Sequence, residues 1–304
     1  MDILVTGGAG FIGQKLVKSL LLQNNNIFIF DNFSNSLKDQ LDLSQKNLHL
    51  VEGDIVDYNS IKNALVGIDL VIHLAAQINV NASFLDPDFT NKVNVLGTEN
   101  LLKACVENKI KNIIISSSAA VFGESKNLPL IETSELSPIS PYGESKAAME
   151  KLIKNYVNKF SFNCIILRFF NIFGKGQNDE YAGVITKFLK QINLNKKLII
   201  FGDGNQTRDF IYIDDIIHSI EHAIENVYGK RATCYNIGSG INVSIKELAN
   251  LMISISGKDL EIEYLPKKDG DIKYSITTID LAKKELNFIP KITLENGLKH
   301  LIKN

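Results

Sequence analysis

In Pro141-Tyr142-Gly143-Glu144-Ser145-Lys146 a phenol and an ammonium stand four residues apart. On a helix that spacing puts both side chains on one face. A free tyrosine has a pKa of about 10 and is a poor base at neutral pH. A lysine cation nearby favours the phenolate and moves it toward working range. Alone, Tyr-x-x-x-Lys is a common accident of amphipathic helix surfaces, and its weight comes from what lies upstream. There Ile113-Ile114-Ile115-Ser116-Ser117-Ser118 closes an apolar run with three hydroxyls. A hydroxyl at the carboxyl end of a strand can bridge a substrate oxygen and a tyrosine. Ser118, Tyr142 and Lys146 together could therefore take a proton from a substrate hydroxyl.

A second constellation would supply the partner for that proton transfer. Ile3-Leu4-Val5-Thr6 runs into Gly7-Gly8-Ala9-Gly10-Phe11-Ile12-Gly13, which fits GxGxxG from Gly8 and GxxGxxG from Gly7. Between a strand and a helix, such glycines let the backbone turn tightly against a pyrophosphate, and the helix N-terminus offers free N–H groups. The second strand ends at Asp31, followed by Asn32-Phe33-Ser34 with no Arg beside it. A carboxylate there accepts hydrogen bonds from both adenosine ribose hydroxyls and repels a 2′-phosphate, which selects NAD over NADP. Asp54, in Gly53-Asp54-Ile55, is placed to meet the adenine amino group. Lys146 would also hold the nicotinamide ribose, and the positive ring would further favour the Tyr142 phenolate.

These residues need a scaffold that presents strand ends and helix starts at one edge. Ile3–Thr6, Ile27–Asp31, Leu48–Glu52, Leu70–Leu74, Ile113–Ser116 and Cys164–Phe169 read as buried parallel strands. Ile12–Gln23, Ile61–Val66, Asn91–Asn108 and Ser145–Lys159 have helical spacing. The alternation predicts an α/β fold, a Rossmann-like doubly wound parallel sheet with ligands at the carboxyl ends of its strands. After Asn171 the pattern loosens into loops at Phe173–Gly183 and Gly202–Arg208, strand-like Phe210–Ile213 and Cys234–Ile237, and a helix near Asp214–Asn226. Residues 1–170 plus about 210–240 are expected to form the NAD-binding domain. About 171–209 and 241–304 would form a smaller C-terminal α/β substrate domain.

Composition excludes other classes. Over 304 residues the net charge is −1, with 45% hydrophobic and 22% charged residues, as in an ordinary soluble globular chain. Without a basic stripe, no nucleic-acid partner is expected. Cys105, Cys164 and Cys234 form no CxxC pair and no cluster with histidine, which predicts a reduced, cytoplasmic setting and no metal. Met1–Val5 lacks a basic n-region and a long apolar run, so neither a signal peptide nor a membrane span is expected.

Taken together the motifs resemble those of the extended short-chain dehydrogenase/reductase family, and within it the nucleotide-sugar 4-epimerases of the UDP-glucose 4-epimerase type. The resemblance runs along the whole chain. It rests on Thr6–Gly13, Asp31-Asn32, Gly53-Asp54-Ile55, His73–Gln77, Asn94–Thr98, Ser116–Gly123, Tyr142–Lys146 and Leu167–Asn171. It continues through Phe201–Gly204, Thr207–Phe210 and Gly270-Asp271-Ile272.

The resemblance implies a cofactor site made by Gly7, Gly10, Phe11, Ile12, Gly13, Asp31, Asn32, Ser34, Asp54, Ile55, Leu74, Ala75, Ala76, Gln77, Asn94, Ser116, Tyr142 and Lys146. It implies that Tyr142 takes the C4 hydroxyl proton of a UDP-sugar, with Ser118 on the same oxygen. A 4-keto sugar would then turn over and accept hydride on its other face, so NAD would stay bound. The substrate would meet Ser118, Tyr142, Asn171, Val184, Ile199, Phe201, Arg208, Lys268, Asp271 and Ser275, with Phe201 near the uracil and Asp271 on its ribose. His73 ends a buried strand in this pattern and is read as structural. Family members are commonly homodimers, through helices corresponding to Asn91–Asn108 and Ser145–Lys159.

Two positions depart from the family pattern. Lys268 stands where an Arg usually contacts the diphosphate, which keeps the charge and loses the planar fork. Ser275 falls where some members carry a Tyr against the sugar, leaving room for a 2-N-acetyl group. Nucleotide-sugar dehydratases and decarboxylases of the family carry an acid at the strand end, where this chain has Ser117-Ser118-Ala119-Ala120. A UDP-glucuronate 4-epimerase is the remaining neighbour in this class. A non-catalytic NAD-binding regulator would be expected to have lost Tyr142 or Lys146, and both are present.

Overall fold

The computed structural model describes residues 1–125, 127–177, 183–267 and 272–303. The strands of the first half are β1 (Asp2–Thr6), β2 (Asn26–Asp31), β3 (Leu48–Glu52), β4 (Leu70–His73), β5 (Asn112–Ser118) and β6 (Asn163–Phe169). They alternate with α1 (Phe11–Leu22), α2 (Tyr58–Ala64), α3 (Val80–Leu85), α4 (Pro87–Asn91), α5 (Gly97–Glu107) and α6 (Pro141–Phe160). The second half contains β7 (Asn171–Phe173), α7 (Val184–Asn193), β8 (Leu198–Phe201), β9 (Thr207–Tyr212), α8 (Ile213–Asn226) and β10 (Arg231–Ile237). It continues with β11 (Asn242–Ser244), α9 (Ile245–Ser256), β12 (Ile262–Leu265), β13 (Tyr274–Ser275), α10 (Asp280–Leu286) and α11 (Leu294–Ile302).

The expected Rossmann-like architecture is present. Seven strands pair in the order β10-β6-β5-β4-β1-β2-β3, every pair parallel. Alternate side chains feed two cores. Ile3, Val5, Ile72, Ile114, Ile165 and Leu167 pack with Leu16 and Leu20 of α1 and Ile216 and Ile220 of α8. Leu4, Val71, Ile113, Ile115 and Ile166 pack with Ile61 of α2, Leu101 and Cys105 of α5, and Met149 and Ile153 of α6. Burial on both faces is why these strands read as continuous apolar runs. From β1 the chain winds outward to β3, then returns to build β4 on the other side of β1. The crevice at that reversal is where doubly wound sheets bind ligands.

Beyond β6 the chain alternates between layers. β9 pairs in parallel with β7 and β13 and antiparallel with β11, while β8 and β12 form a separate parallel pair. Between them β10 returns to the edge of the seven-stranded sheet beside β6.

Some boundaries differ from the sequence expectation for physical reasons. Helix α6 begins at Pro141 rather than Ser145, because the Ser140 hydroxyl accepts from Gly143 N at 3.1 Å and Pro141 supplies the first helical position. Asn91–Asn108 is not one regular helix. A π turn over Lys92–Leu96 separates α4 from α5 and carries the buried Asn94. Strand β5 runs on to Ser118, since its pairing with β6 continues to Ser118 opposite Phe169. No helix among the described residues is long and apolar enough to cross a membrane.

Candidate functional site

The glycine turn lies at the sheet's reversal point, between β1 and the segment after β4. Gly7 adopts φ +69°, and a Cβ there would lie 2.7 Å from the Ala75 nitrogen. At Gly13 a Cβ would lie 2.6 Å from the Gly8 Cα, so α1 packs on the turn only without a side chain. Helix α1 has no side-chain cap at Gly10 and no acid in its first turn, which leaves its positive end available to an anion. Phe11 and Ile12, half-buried, begin that helix. This cradle fits the pyrophosphate of a dinucleotide.

Asp31 ends β2 facing the turn, its Oδ2 accepting from Ala9 N at 2.9 Å and its Oδ1 from Phe33 N at 2.9 Å. Each oxygen retains a lone pair for a ribose hydroxyl. Asn32 donates to Asp54 Oδ2 at 3.0 Å and its Oδ1 accepts from Ser34 N, so these three sit as one exposed group beside Asp31. Ile55 is buried against Gly97, where a Cβ would stand 2.7 Å from its Cγ2. Leu74, Ala75, Ala76 and Gln77 run half-buried past the turn. Gln77 N donates to Asn94 Oδ1 at 2.8 Å, and Asn94 Nδ2 returns to Gln77 O at 3.0 Å. Hydrogen bonds to a charged group contribute about 1.5–3 kcal/mol. Asp31→Ser is therefore expected to weaken NAD binding by about ten- to a hundredfold, with NADP nearly unaffected. Titration of the apoprotein with each dinucleotide checks this, and equal losses for both would refute the role of the carboxylate.

Ser118, Tyr142 and Lys146 are brought together where β5 ends and α6 begins. Tyr142 is the second residue of α6 and is buried, with its backbone N–H on Ser83 Oγ at 3.1 Å. Burial raises its phenol above the ordinary value, and the Ser118 side chain beside it pulls the other way. Lys146, 3% exposed, donates from Nζ to the Ser116 carbonyl at 3.1 Å. Burial pulls its ammonium down to about 8, against the opposing field of Glu150. Sequence reasoning assigned the lowering of the Tyr142 phenol to Lys146. In the folded chain the Ser118 side chain also pulls the phenol down, a contribution spacing did not show, and Lys146 is engaged with strand β5 through the Ser116 carbonyl.

Behind this trio lies a buried ion pair that sequence reasoning missed. Arg168 Nε and Nη2 donate to Glu150 Oε1 and Oε2 at 2.8 and 2.6 Å, and both side chains are 1% exposed. Glu150 Oε1 also accepts from Ser117 Oγ at 2.7 Å, and Arg168 Nη1 donates to the Glu132 carbonyl. Two signals were available. Glu150 lies one turn past Lys146 on the face that carries Tyr142, and Arg168 interrupts a strand of otherwise apolar side chains.

The residues expected on the substrate side divide into two groups. Asn171 in β7 donates from Nδ2 to the Asp209 carbonyl of β9 at 2.9 Å, next to Arg208. Arg208 is opposite Ser275 in the β9–β13 register, and Ser275 is buried. One residue on, the Ile276 carbonyl accepts from Leu130 N at 2.8 Å, which ties this sheet to the chain between Ser118 and Tyr142. Ile199 and Phe201 lie instead in β8, joined to β9 where Gln206 Nε2 donates to the Phe201 carbonyl at 2.7 Å. Val184 starts α7. Lys268 and Asp271 fall outside the described residues.

Residues 3–238 match the model of the NAD dependent epimerase/dehydratase family. A Methanocaldococcus jannaschii protein provisionally named UDP-glucose 4-epimerase is 37% identical, over 99% of this chain and 97% of its own. The crystal structure of UDP-glucose 4-epimerase from Thermotoga maritima with UDP-glucose superposes with a TM-score of 0.94 at 33% identity, covering 100% of this chain and 98% of the other. UDP-N-acetylglucosamine 4-epimerase from Methanobrevibacter ruminantium, in complex with UDP-N-acetylmuramic acid, gives 0.93 at 34% identity, covering 99% and 97%.

Proposed function

This chain belongs to the NAD-dependent epimerase/dehydratase family, and we propose that it interconverts the C4 epimers of a UDP-sugar through a transient 4-keto sugar. The observation that carries the reading is the meeting of Ser118, Tyr142 and Lys146 with no acid at the strand end beside them. Elimination of water needs such an acid and base. The buried carboxylate of Glu150, one turn past Lys146, is held by Arg168 Nε and Nη2.

Bound NAD supplies a reversible hydride acceptor for the sugar C4. The chain's own groups handle the proton and the geometry. Gly7, Gly10, Phe11, Ile12 and Gly13 would hold the NAD pyrophosphate, Asp31 with Asn32, Ser34, Asp54 and Ile55 its adenosine end, and Leu74–Gln77 with Asn94 and Ser116 would serve the nicotinamide end. Tyr142 takes the proton from the C4 hydroxyl as C4 is oxidised and returns it when the ketone is reduced. Ser118 holds the same oxygen, and Lys146 keeps positive charge beside the site. Asn171 and Arg208 would meet the diphosphate, and for Lys268 and Asp271, which lie outside the described residues, the reading keeps the roles that the resemblance implies at the diphosphate and the uridine ribose. Val184, Ile199 and Phe201 form the base side. The protein is cytoplasmic in this reading, in keeping with its three free cysteines, and a homodimer across α5 and α6.

Ser275 extends the substrate range. It is small and buried on β13 beside Arg208, which supports acceptance of the N-acetylhexosamine pair as well as UDP-glucose and UDP-galactose. Proton NMR of the purified protein with UDP-galactose, UDP-N-acetylgalactosamine and UDP-glucuronate, without added NAD, tests the whole reading. Epimers of the first two are expected. Net oxidation that needs added NAD, or a dehydrated sugar, would overturn the epimerase assignment. Ser275→Tyr should lose the acetylated substrate selectively, and equal activity on both sugars in that variant would remove Ser275 from the specificity site.

A further inference from the structure

His73 is the last residue of β4, 2% exposed, and its ring hydrogen bonds go to Thr6 and Thr98 rather than to a residue of either proposed ligand site. Both ring nitrogens are satisfied, Nδ1 by Thr6 Oγ1 at 2.7 Å and Nε2 by Thr98 Oγ1 at 3.0 Å. Each hydroxyl has one proton, and that single proton fixes the direction of every bond. Thr98 Oγ1 donates to the Asn94 carbonyl at 2.6 Å, so it can only accept from His73, and Nε2 must carry the hydrogen. Thr6 Oγ1 accepts from Ala75 N at 3.3 Å and is free to donate to Nδ1.

The directed chain continues past Asn94. Its Nδ2 donates to Ser145 Oγ at 2.9 Å, and Ser145 Oγ donates to the Tyr142 carbonyl at 2.7 Å. Two directed runs of hydrogen bonds, one from Ala75 at the glycine turn through the ring to the Asn94 carbonyl and one from the Asn94 amide to the backbone of Tyr142, are thus joined by Asn94 itself. The π turn has a part in it, because it carries both the carbonyl and the amide of Asn94 that the chain uses. A charged imidazolium would reverse the bond at Nδ1 and face Lys146. Burial and that lysine hold the ring neutral, its pKa pulled down to about 3.

We propose that His73, in the neutral Nε2–H tautomer, is a positioning residue that joins the NAD-binding glycine turn to the start of the helix bearing Tyr142 and Lys146. It rests on the functional reading above for its effect on turnover, but not for the tautomer. Its two sides can be cut separately. Gln places a donor near the Nε2 position and lacks the Nδ1 acceptor, whereas Asn places an acceptor near Nδ1 and lacks the Nε2 donor.

Nitrogen-15 NMR of the wild-type imidazoles is expected to show one histidine with a protonated Nε2 and bare Nδ1, unchanged from pH 5 to 9 and absent from both variants. In His73→Gln, retention of NAD through gel filtration should fall more than kcat. In His73→Asn, kcat should fall about tenfold, the effect of an unmet buried group, and more than NAD retention does. An Nδ1–H tautomer, or a ring that titrates in that range, overturns the proposal. So does equal loss of both properties in both variants when their thermal melts show folded protein. If the variants fail to fold, the wild-type tautomer and its pH invariance decide the matter. Absence of epimerase activity in the wild type would count against the reaction assigned above and leave the tautomer and NAD-retention arms in force.

Discussion

Tyr142→Phe is expected to lower kcat by about 10²–10⁴, the usual contribution of a positioned acid–base group, while the protein still folds and retains NAD. The substitution removes one oxygen from a buried site whose backbone is held independently, by Ser83 below and by the Ser145 bond to the Tyr142 carbonyl. A pH profile gives a second readout. Burial raises the phenol, so in the wild type kcat/KM should climb with pH as more of it ionises. The climb should end near pH 8, where Lys146, pulled down to about 8 by burial, begins to lose the charge that supports the phenolate. Progress curves by NMR would measure both. A Phe variant with more than a tenth of wild-type kcat would remove Tyr142 from the proton transfer.

Arg168→Met should destabilise the fold by about 3–5 kcal/mol, because it leaves Glu150 as an unpaired charge in a fully buried position. The double variant Glu150→Leu/Arg168→Met should recover most of that loss, since it removes the second charge together with its desolvation penalty. The Ser117 hydroxyl then loses its acceptor, a smaller deficit of about 1–3 kcal/mol. Urea titration of the wild type and the two variants gives the comparison. A double variant as unstable as the single one would show that packing around Arg168, which also lies 4.9 Å over the Phe122 ring, matters more than charge.

Much of this architecture was legible in the residues, and what was hidden has identifiable causes. Strands such as Ile3–Thr6 could be placed because burial on both faces leaves an uninterrupted apolar run, and the glycines around Gly7 and Gly13 because only Gly fits so close to a neighbouring backbone. Tyr142, Lys146 and Ser118 were visible through spacing and position at strand ends. The Glu150–Arg168 pair was not, since partners eighteen positions apart on a helix and a strand share no local pattern. The break at Lys92–Leu96 was equally hidden. It carries Asn94, whose side chain bonds Gln77 and Ser145, and helical periodicity registers neither bond. His73 was recognised as buried, but its connections to Thr6 and Thr98 exist only once β1, β4 and α5 are assembled.

The place of β10 has a consequence for how the protein is made. Strand β6, Asn163–Phe169, gains its outer neighbour only when Arg231–Ile237 has been synthesised. At about 5–20 residues per second, a ribosome takes roughly 3–12 seconds to cover that interval. Throughout it, a strand whose residues from Cys164 onward are all buried in the finished protein presents an unpaired edge. That interval leaves the nascent chain open to misassociation along β6, and it closes when the returning chain docks β10 against β6.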